Sequence, residues 1–173
     1  MFKKLCAAAA VLMFVTSAVA GEPYAPMAPF AGLDGKAFRA EWSDEPGKKT
    51  VDVSTYELIL GGRALQSTHR IEGSAYGGRT IIFYDEGAKR YVYHYFTTGG
   101  FHTAGMADME DGVFTSVEAV NGHPAIAEVR AKSTFRPNEM RVEVVYVGKD
   151  GVQTPQPARI YSPTSHPGEM FPK

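Results

Sequence analysis

The sequence predicts an all-β protein, an antiparallel up-and-down β-barrel of about ten strands. Short runs of β-branched and aromatic residues recur along the chain, and clusters of Gly, Pro, Asn and Asp separate them. No segment keeps a helical period over several turns. Short turns join the strands in sequence order, which favours a barrel; a β-sandwich is the competing arrangement. Closure into a barrel also removes exposed sheet edges.

The first 20 residues carry the three regions of a secretory signal peptide. Lys3 and Lys4 give a positive start, residues 5–15 form an apolar core, and residues 18–20 read Ala-Val-Ala, a small-residue cleavage site. The apolar run is shorter than the ~20 residues that a spanning helix needs, so we expect no membrane span. We expect cleavage near Ala20 and a periplasmic or secreted protein.

The mature chain is weakly acidic and has no cysteine. Removing residues 1–20 from the 173-residue chain leaves 153 residues, enough for one domain with its own core. The single cysteine, Cys6, leaves with the leader, so no internal disulfide is expected, which fits the bacterial periplasm. The leader also takes two lysines, which changes the formal charge from −1 to −3. Without a basic run we expect no nucleic-acid partner, and the oligomeric state stays open.

Four regions follow from the distribution of prolines and strand patterns. The signal peptide, residues 1–20, is followed by a proline-rich arm over residues 21–29, which we expect to be extended. The barrel domain occupies residues 30–162. Residues 163–173 contain further prolines and form an irregular tail.

The first part of the domain predicts three strands. Gly61 and Gly62 separate the second strand from the third, a two-residue break typical of primed hairpin turns because both positions tolerate positive φ. In the second strand Asp52 shares a face with Tyr56 and Leu58, which makes it the best candidate for a buried acid. These strands are residues 36–42, 51–60 and 63–71.

The central segment, residues 79–106, is the densest in aromatic residues and predicts a meander of three strands. On its middle strand three tyrosines alternate with Val92, His94 and Phe96. If the tyrosines face inward, they line a cavity with hydroxyl donors; if they face outward, the other face fills the core. The tyrosines are Tyr91, Tyr93 and Tyr95. The strands are residues 80–84, 90–98 and 101–106.

Four further strands complete the predicted barrel. Asn121 and Gly122 are a strong hairpin signal between the first two of them. One face of the second carries small residues, which either leave volume for a ligand or lie opposite large aromatics that fill the space. That face contains Ala127, Val129, Ala131 and Ser133. The strands are residues 113–120, 126–135, 140–147 and 158–161.

Several short motifs carry a resemblance to a known family: FAGLDGKAFR at residues 30–39, YELILGGR at residues 56–63, FYD at residues 83–85 and YHYF at residues 93–96, followed by GF at residues 100–101. Over residues 30–161 the chain resembles the lipocalin-like bacterial domains of unknown function, which belong with the calycin barrels. The resemblance implies a barrel with an internal pocket and no particular ligand. Phe38 stands where calycins usually place a tryptophan, and the resemblance implies that Arg159 packs over it.

Five polar side chains around the central meander are the predicted ligand contacts, because their strands are expected to be adjacent. A histidine in this position contacts a ligand, acts as a general base, ligates haem iron, or is simply hydrogen-bonded within the sheet. No two histidines have His-x-His or His-x-x-x-His spacing, so no metal site is expected. The predicted contacts are His69, Tyr93, His94, Tyr95 and His102.

The sequence therefore favours an exported small-molecule-binding barrel that holds an apolar or amphipathic ligand in its interior. Residues 73–77 lack the spacing of a nucleophile elbow, and no phosphate loop or dinucleotide fingerprint is present. No cofactor is indicated. The alternatives are a barrel enzyme with a His/Tyr acid–base pair, a haem-binding barrel, and an accessory envelope protein with a fully packed core.

Overall fold

The computed structural model describes residues 24–45, 47–136 and 138–171. The predicted signal peptide lies outside the described residues. A 3₁₀ helix, Ala25–Leu33, precedes the strands of a single sheet in which the paired strands are antiparallel. The strands are β1 (Ala37–Glu45), β2 (Lys48–Ile59), β3 (Ala64–Ile71), β4 (Gly77–Asp85), β5 (Arg90–Thr97), β6 (His102–Glu110), β7 (Val113–Asn121), β8 (Ile126–Arg136), β9 (Glu139–Gly148), β10 (Gln153–Pro155) and β11 (Arg159–Pro163).

The sheet closes into a ten-strand up-and-down barrel. Strands β1 to β9 pair in sequence order, and the free edge of β9 then pairs with β10 near its end and with β11 near its beginning. Strand β11 returns to pair with β1. Strands β10 and β11 both pair with the same edge of β9, so the eleven strands form a barrel with ten strands around its circumference. The predicted all-β barrel is confirmed, and the sandwich alternative was wrong.

The hairpin between β2 and β3 has the predicted two-glycine turn. Gly61 and Gly62 have φ values of +64° and +82°, which only glycine adopts readily. Leu60, predicted as the last residue of the second strand, already has positive φ and is 72% exposed. The strand therefore ends at Ile59, one residue earlier than predicted.

The N-terminal helix closes one end of the barrel. Met27 and Phe30 are completely buried. The ring of Phe30 makes edge-to-face contacts with Tyr91, Phe114 and Phe135, with centroids 5.5 Å apart in each case. Aromatic contacts in this geometry stabilise a core beyond the area they bury. No helix in the described part of the chain has the length and apolar character needed to cross a membrane.

This helix lies where the prolines of residues 21–29 predict an extended arm. A 3₁₀ helix has three residues per turn, so Met27, Phe30 and Leu33 fall on one side, and all three are buried. A proline in the first turn costs no hydrogen bond, because the first N–H groups of a helix have no partner within it. The three-residue apolar spacing outweighs the extended preference of the prolines.

The strand alternation around β5 places the tyrosines inside. Tyr91 and Tyr93 are buried, whereas Phe96 is 54% exposed on the outer surface. The same alternation runs through the neighbouring strands, so Thr103 on β6 is buried next to the exposed His102. This settles which face of β5 is interior.

Arg159 packs over Trp42 and not over Phe38. Its guanidinium carbon lies 4.5 Å from the centroid of the Trp42 ring. Strand β11 pairs with β1 in a register that places Tyr161 beside Ala40, and extending this register by two residues brings Arg159 opposite Trp42. The expectation that the resemblance gave for Phe38 was wrong, since its ring instead contacts Tyr56 edge-on at 5.8 Å.

Candidate functional site

The interior of the barrel holds a cavity of about 590 Å³. The helix closes one end, and the cavity extends toward the opposite end, where Tyr76, Phe101 and His123 stand in or next to the connecting loops. Large apolar side chains line the part near the helix. They include Leu65, Ile82, Phe114, Phe135 and Met140. A volume of several hundred Å³ is typical of small-molecule sites.

The small residues of β8 leave part of this volume open. Val129, Ala131 and Ser133 line the cavity. Ala127, predicted on the same face, falls where the register with β9 shifts between Ile126 and Glu128, and it is not among the lining residues. Of the two interpretations of this face, the structure therefore supports open volume and not a space filled by aromatics.

A chain of five hydrogen-bonded side chains, which we call the polar chain, runs along one wall. The hydroxyl of Tyr161 donates to Oδ2 of Asp52 at 2.6 Å, and Nδ1 of His69 lies 2.9 Å from Oδ1 of the same carboxylate. Nε2 of His69 lies 2.7 Å from the hydroxyl of Tyr95, which is 3.0 Å from the hydroxyl of Tyr76. The chain thus leads from strand β11 to the open end.

Asp52 sets the direction of these hydrogen bonds. A carboxylate only accepts, so Nδ1 of His69 carries a proton, and the neutral imidazole then accepts the Tyr95 hydroxyl at Nε2. Tyr95 in turn accepts from Tyr76. Burial raises the pKa of Tyr95, and it raises that of Tyr161 well above its usual range. Both phenols therefore stay protonated and act as donors.

Two small residues allow the polar chain to form across intervening strands. Ala40 on β1 pairs with Asp52 on one side and with Tyr161 on the other. Gly78 on β4 pairs with His69, and a Cβ there would stand 2.3 Å from the ring of Tyr95. Larger side chains at these two positions would separate the groups that hydrogen-bond.

A second polar cluster lies on β5 to β7 and is centred on Glu118, which is only 4% exposed. Ser116 donates to Oε1 at 2.8 Å and Thr103 donates to Oε2 at 3.1 Å. The hydroxyl of Tyr93 lies 3.0 Å from that of Thr103. Burial raises the pKa of Glu118 above its ordinary value, and hydrogen bonds to the carboxylate offset only part of this effect.

Arg159 supplies a cation to the cavity wall. Its Nε is buried and has no hydrogen-bond partner among the described residues. Burial disfavours the charge of Arg159, but neighbours led by Tyr146 and Tyr161 raise its pKa above the usual range. The guanidinium therefore stays charged, stacked on the Trp42 ring at the cavity surface.

Three of the five predicted contact residues line the cavity: His69, Tyr93 and Tyr95. His94 and His102 lie on the outer surface, where each ring stacks with that of Phe96, with centroids 6.3 Å and 6.1 Å apart. Strand alternation explains the division, because residues next to an inward tyrosine or threonine must point outward. The structure therefore does not bring His94 and His102 together with the interior three.

Sequence reasoning did not select several residues of the site. Asp52 was predicted as the best candidate for a buried acid, though not as a ligand contact, and it is only 4% exposed. Both faces of β7 carry polar and apolar residues, so the burial of Glu118 had no clear signal. Tyr76 lies in a glycine-rich loop, where no periodicity applies. Arg159 and Tyr161 sit on a strand of five residues, and only the register with β1 shows what they contact.

Three ring nitrogens of the two cavity histidines, His69 and His123, are hydrogen-bonded within the protein. Both nitrogens of His69 are engaged, so it offers none to haem iron. Nδ1 of His123 accepts the backbone N–H groups of Ala125 and Ile126, at 3.2 Å and 3.0 Å. Over the described ranges, no group of three or more His, Cys, Asp or Glu side chains could hold a metal ion.

A scan against protein-family models finds no match to this chain, and a search of curated proteins finds none either. Its function is therefore inferred from the cavity itself.

Proposed function

We propose that the barrel binds a small amphipathic molecule in its interior. The cavity carries the proposal: about 590 Å³ enclosed by strands, with apolar walls and a few converging polar groups. A fully packed accessory barrel, the alternative without a ligand, requires a core that has no such space. Eight or more strands are enough to hold one small ligand inside a barrel.

Different parts of the cavity wall contact the apolar and the polar parts of the ligand. Its apolar body contacts the side chains near the helix, among them Leu65 and Phe114. Its polar groups meet the hydroxyl of Tyr95, which is backed by His69, and the Arg159 guanidinium. Few polar groups in an apolar cavity fix the orientation of a ligand, while the apolar area supplies most of the affinity.

A second candidate is acid–base chemistry in the same cavity, and the linked Asp52, His69 and Tyr95 favour it. An acid that holds an imidazole in one tautomer, with a phenol on the other nitrogen, can pass a proton to or from a bound molecule. Replacing Tyr95 by Phe separates the two candidates. If the protein is a binder, the Tyr95→Phe variant still binds the ligand with a modest loss of affinity. If it is an enzyme, the variant loses turnover of any compound that the wild type converts.

The leader predicted over residues 1–20 would place this protein in the periplasm or the medium. Export is tested by the mass of the protein recovered from a secreting host. A mass that matches a chain beginning at Gly21 supports export, and a full-length chain recovered from the cytoplasm contradicts it.

Uptake of N-phenyl-1-naphthylamine, a neutral dye that fluoresces in apolar sites, tests the binding proposal. We compare the wild type with Ala131→Trp, which fills the cavity, and with Lys132→Trp, which adds the same side chain on the outer face of the same strand. We expect saturable fluorescence in the wild type and in Lys132→Trp, and its loss in Ala131→Trp. Equal uptake by both variants, or none by the folded wild type, would contradict the proposal.

A further inference from the structure

Glu118 is a buried carboxyl group whose described partners are all neutral. Ser116 and Thr103 each donate one hydrogen bond to it, the Tyr93 hydroxyl also interacts with it, and no described Lys, Arg or His forms an ion pair with it. The two oxygens together have four lone pairs, so with three donors present the carboxylate can accept one further hydrogen bond. A buried carboxylate without a cation is energetically costly, and a positively charged partner would remove that cost.

The cavity gives a ligand access to Glu118. Its side chain lines the cavity, and its cross-strand neighbour on β8 is Val129, followed by Ala131 in the next inward position. On the other side it pairs with Gly105, which adds no side chain next to the carboxylate. A Cβ at residue 105 would stand 2.0 Å from the carbonyl oxygen of Val117, so only glycine allows β6 and β7 to approach so closely here.

The charges around the cavity leave one negative charge unbalanced. With His69 and His123 counted as neutral, the charged lining residues are Asp52, Glu118 and Arg159. Arg159 balances one of the two acids. The nearby charge of Asp52 contributes to the raised pKa of Arg159. With Glu118 ionised, the cavity has a net charge of minus one and is complementary to a ligand with a single positive charge.

We propose that Glu118 binds a cationic amino group of the ligand, so that the molecule held in the barrel is an amphipathic amine. An ammonium group donates to the remaining acceptor position of the carboxylate and neutralises the buried charge. A neutral hydroxyl donor satisfies a lone pair but leaves that charge uncompensated. The inference rests on the proposed function, since it identifies the chemical class of the interior ligand.

Three probes with the same apolar chain test this inference: octylammonium, 1-octanol and octanoate. Isothermal titration calorimetry near neutral pH measures their affinities, and octylammonium is charged there because an alkylamine has a pKa close to that of lysine. We expect the wild type to prefer octylammonium. Glu118→Gln keeps the shape of the side chain and should lose about ten-fold in affinity for octylammonium, with 1-octanol unchanged. Glu57→Gln, at an exposed position on β2, is the matched control and should bind like the wild type.

The outcomes separate this inference from the proposed function. A preference for octanoate in the wild type would overturn it, and so would an unchanged octylammonium affinity in Glu118→Gln. Loss of the amine preference in Asp52→Asn but not in Glu118→Gln would assign the cation to Asp52 and also overturn it. Each of these results leaves interior binding intact. If the folded wild type takes up N-phenyl-1-naphthylamine but binds none of the three probes, the inference fails and the proposed function stands. If it binds neither the dye nor the probes, both fail. Should Glu118→Gln not fold, the wild-type preference alone decides between amine and carboxylate.

Discussion

Gly78 lies beneath the ring of Tyr95, and its lack of a side chain lets that ring reach His69. A Cβ at residue 78 would stand 2.3 Å from Cε2 of Tyr95 and 2.6 Å from the carbonyl oxygen of Phe96. Gly78 pairs with His69 on the neighbouring strand, so the tyrosine crosses β4 at a residue that has no side chain. A glycine within a strand usually costs stability, and here it allows a part-buried hydrogen bond.

Replacing Gly78 by Ala should displace Tyr95 and break its hydrogen bond with His69. Overpacking of a close-packed interior costs about 1–3 kcal/mol, and urea denaturation measures the loss in the free energy of unfolding. Gly99→Ala is the matched control, because its Cβ would meet only ordinary contacts, the nearest 3.4 Å away in the ring of Phe101. Equal stability of the two variants would show that the close approach at Gly78 is not required.

Asp52→Asn should reverse the tautomer of His69. The carboxylate accepts from Nδ1–H in the wild type, whereas the asparagine amide, with its oxygen held by Tyr161, presents N–H donors to Nδ1. The proton of His69 then moves to Nε2, which donates to Tyr95. The ¹⁵N chemical shifts of the imidazole report the change, with the outward His94 as the internal reference. An unchanged Nδ1–H signal in the variant would contradict the assigned direction of the polar chain.

Glu118 should make the protein less stable as the pH rises from acid to neutral. Burial raises its pKa in the folded state, so the folded protein retains this proton to higher pH than the unfolded chain. The contribution is favourable below the unfolded pKa, about 4.3, and is lost as the pH rises through the folded value.

Urea denaturation of the wild type and of Glu118→Gln at about pH 4.5 and about pH 7.5 checks this dependence. The amide cannot ionise, so the variant should gain stability relative to the wild type at the higher pH. Groups elsewhere in the chain titrate equally in both proteins and cancel in the difference. A difference that does not change with pH would mean that Glu118 titrates alike in the folded and unfolded states.

Phe30→Ala should destabilise the closed end of the barrel. The Phe30 ring is fully buried against three aromatic rings. Its removal leaves a cavity and should lower the free energy of unfolding by about 3–5 kcal/mol. Leu60→Ala, at a position 72% exposed in a turn, should change stability by less than about 0.5 kcal/mol. Thermal and urea unfolding measure both. A small effect at Phe30 would mean that the helix contributes little to the core.

Most of the fold could be predicted because turn residues and alternation are local signals. The two-glycine turn after Ile59 and the alternation on β5 needed no knowledge of distant residues. The helix was not predicted, because the prolines of residues 21–29 favoured an extended arm over the helix that the three-residue apolar spacing indicates. The partner of Arg159 depended on the register between β11 and β1, which short strands do not encode locally.

The candidate site was harder to predict, because parity shows which residues share a face but not which face is interior. His69, Tyr93 and Tyr95 came out on the cavity side, while His94 and His102 shared strands with interior residues but had the opposite parity. Glu118 had no signal in its own strand. Its role depends on Gly105, on the small residues of β8 and on the other charges of the cavity, and only the closed barrel brings these together.

The most direct measurement of interior binding is an isotope-filtered NOE experiment on valine-methyl-labelled protein with bound N-phenyl-1-naphthylamine. Val129 and Val144 line the cavity, whereas Val117 and Val152 are exposed on the outside, at 48% and 59%. We predict NOEs from the dye to the methyl groups of Val129 and Val144 and none to the exposed pair. NOEs confined to Val117 or Val152, or none to any interior methyl group, would contradict binding inside the barrel.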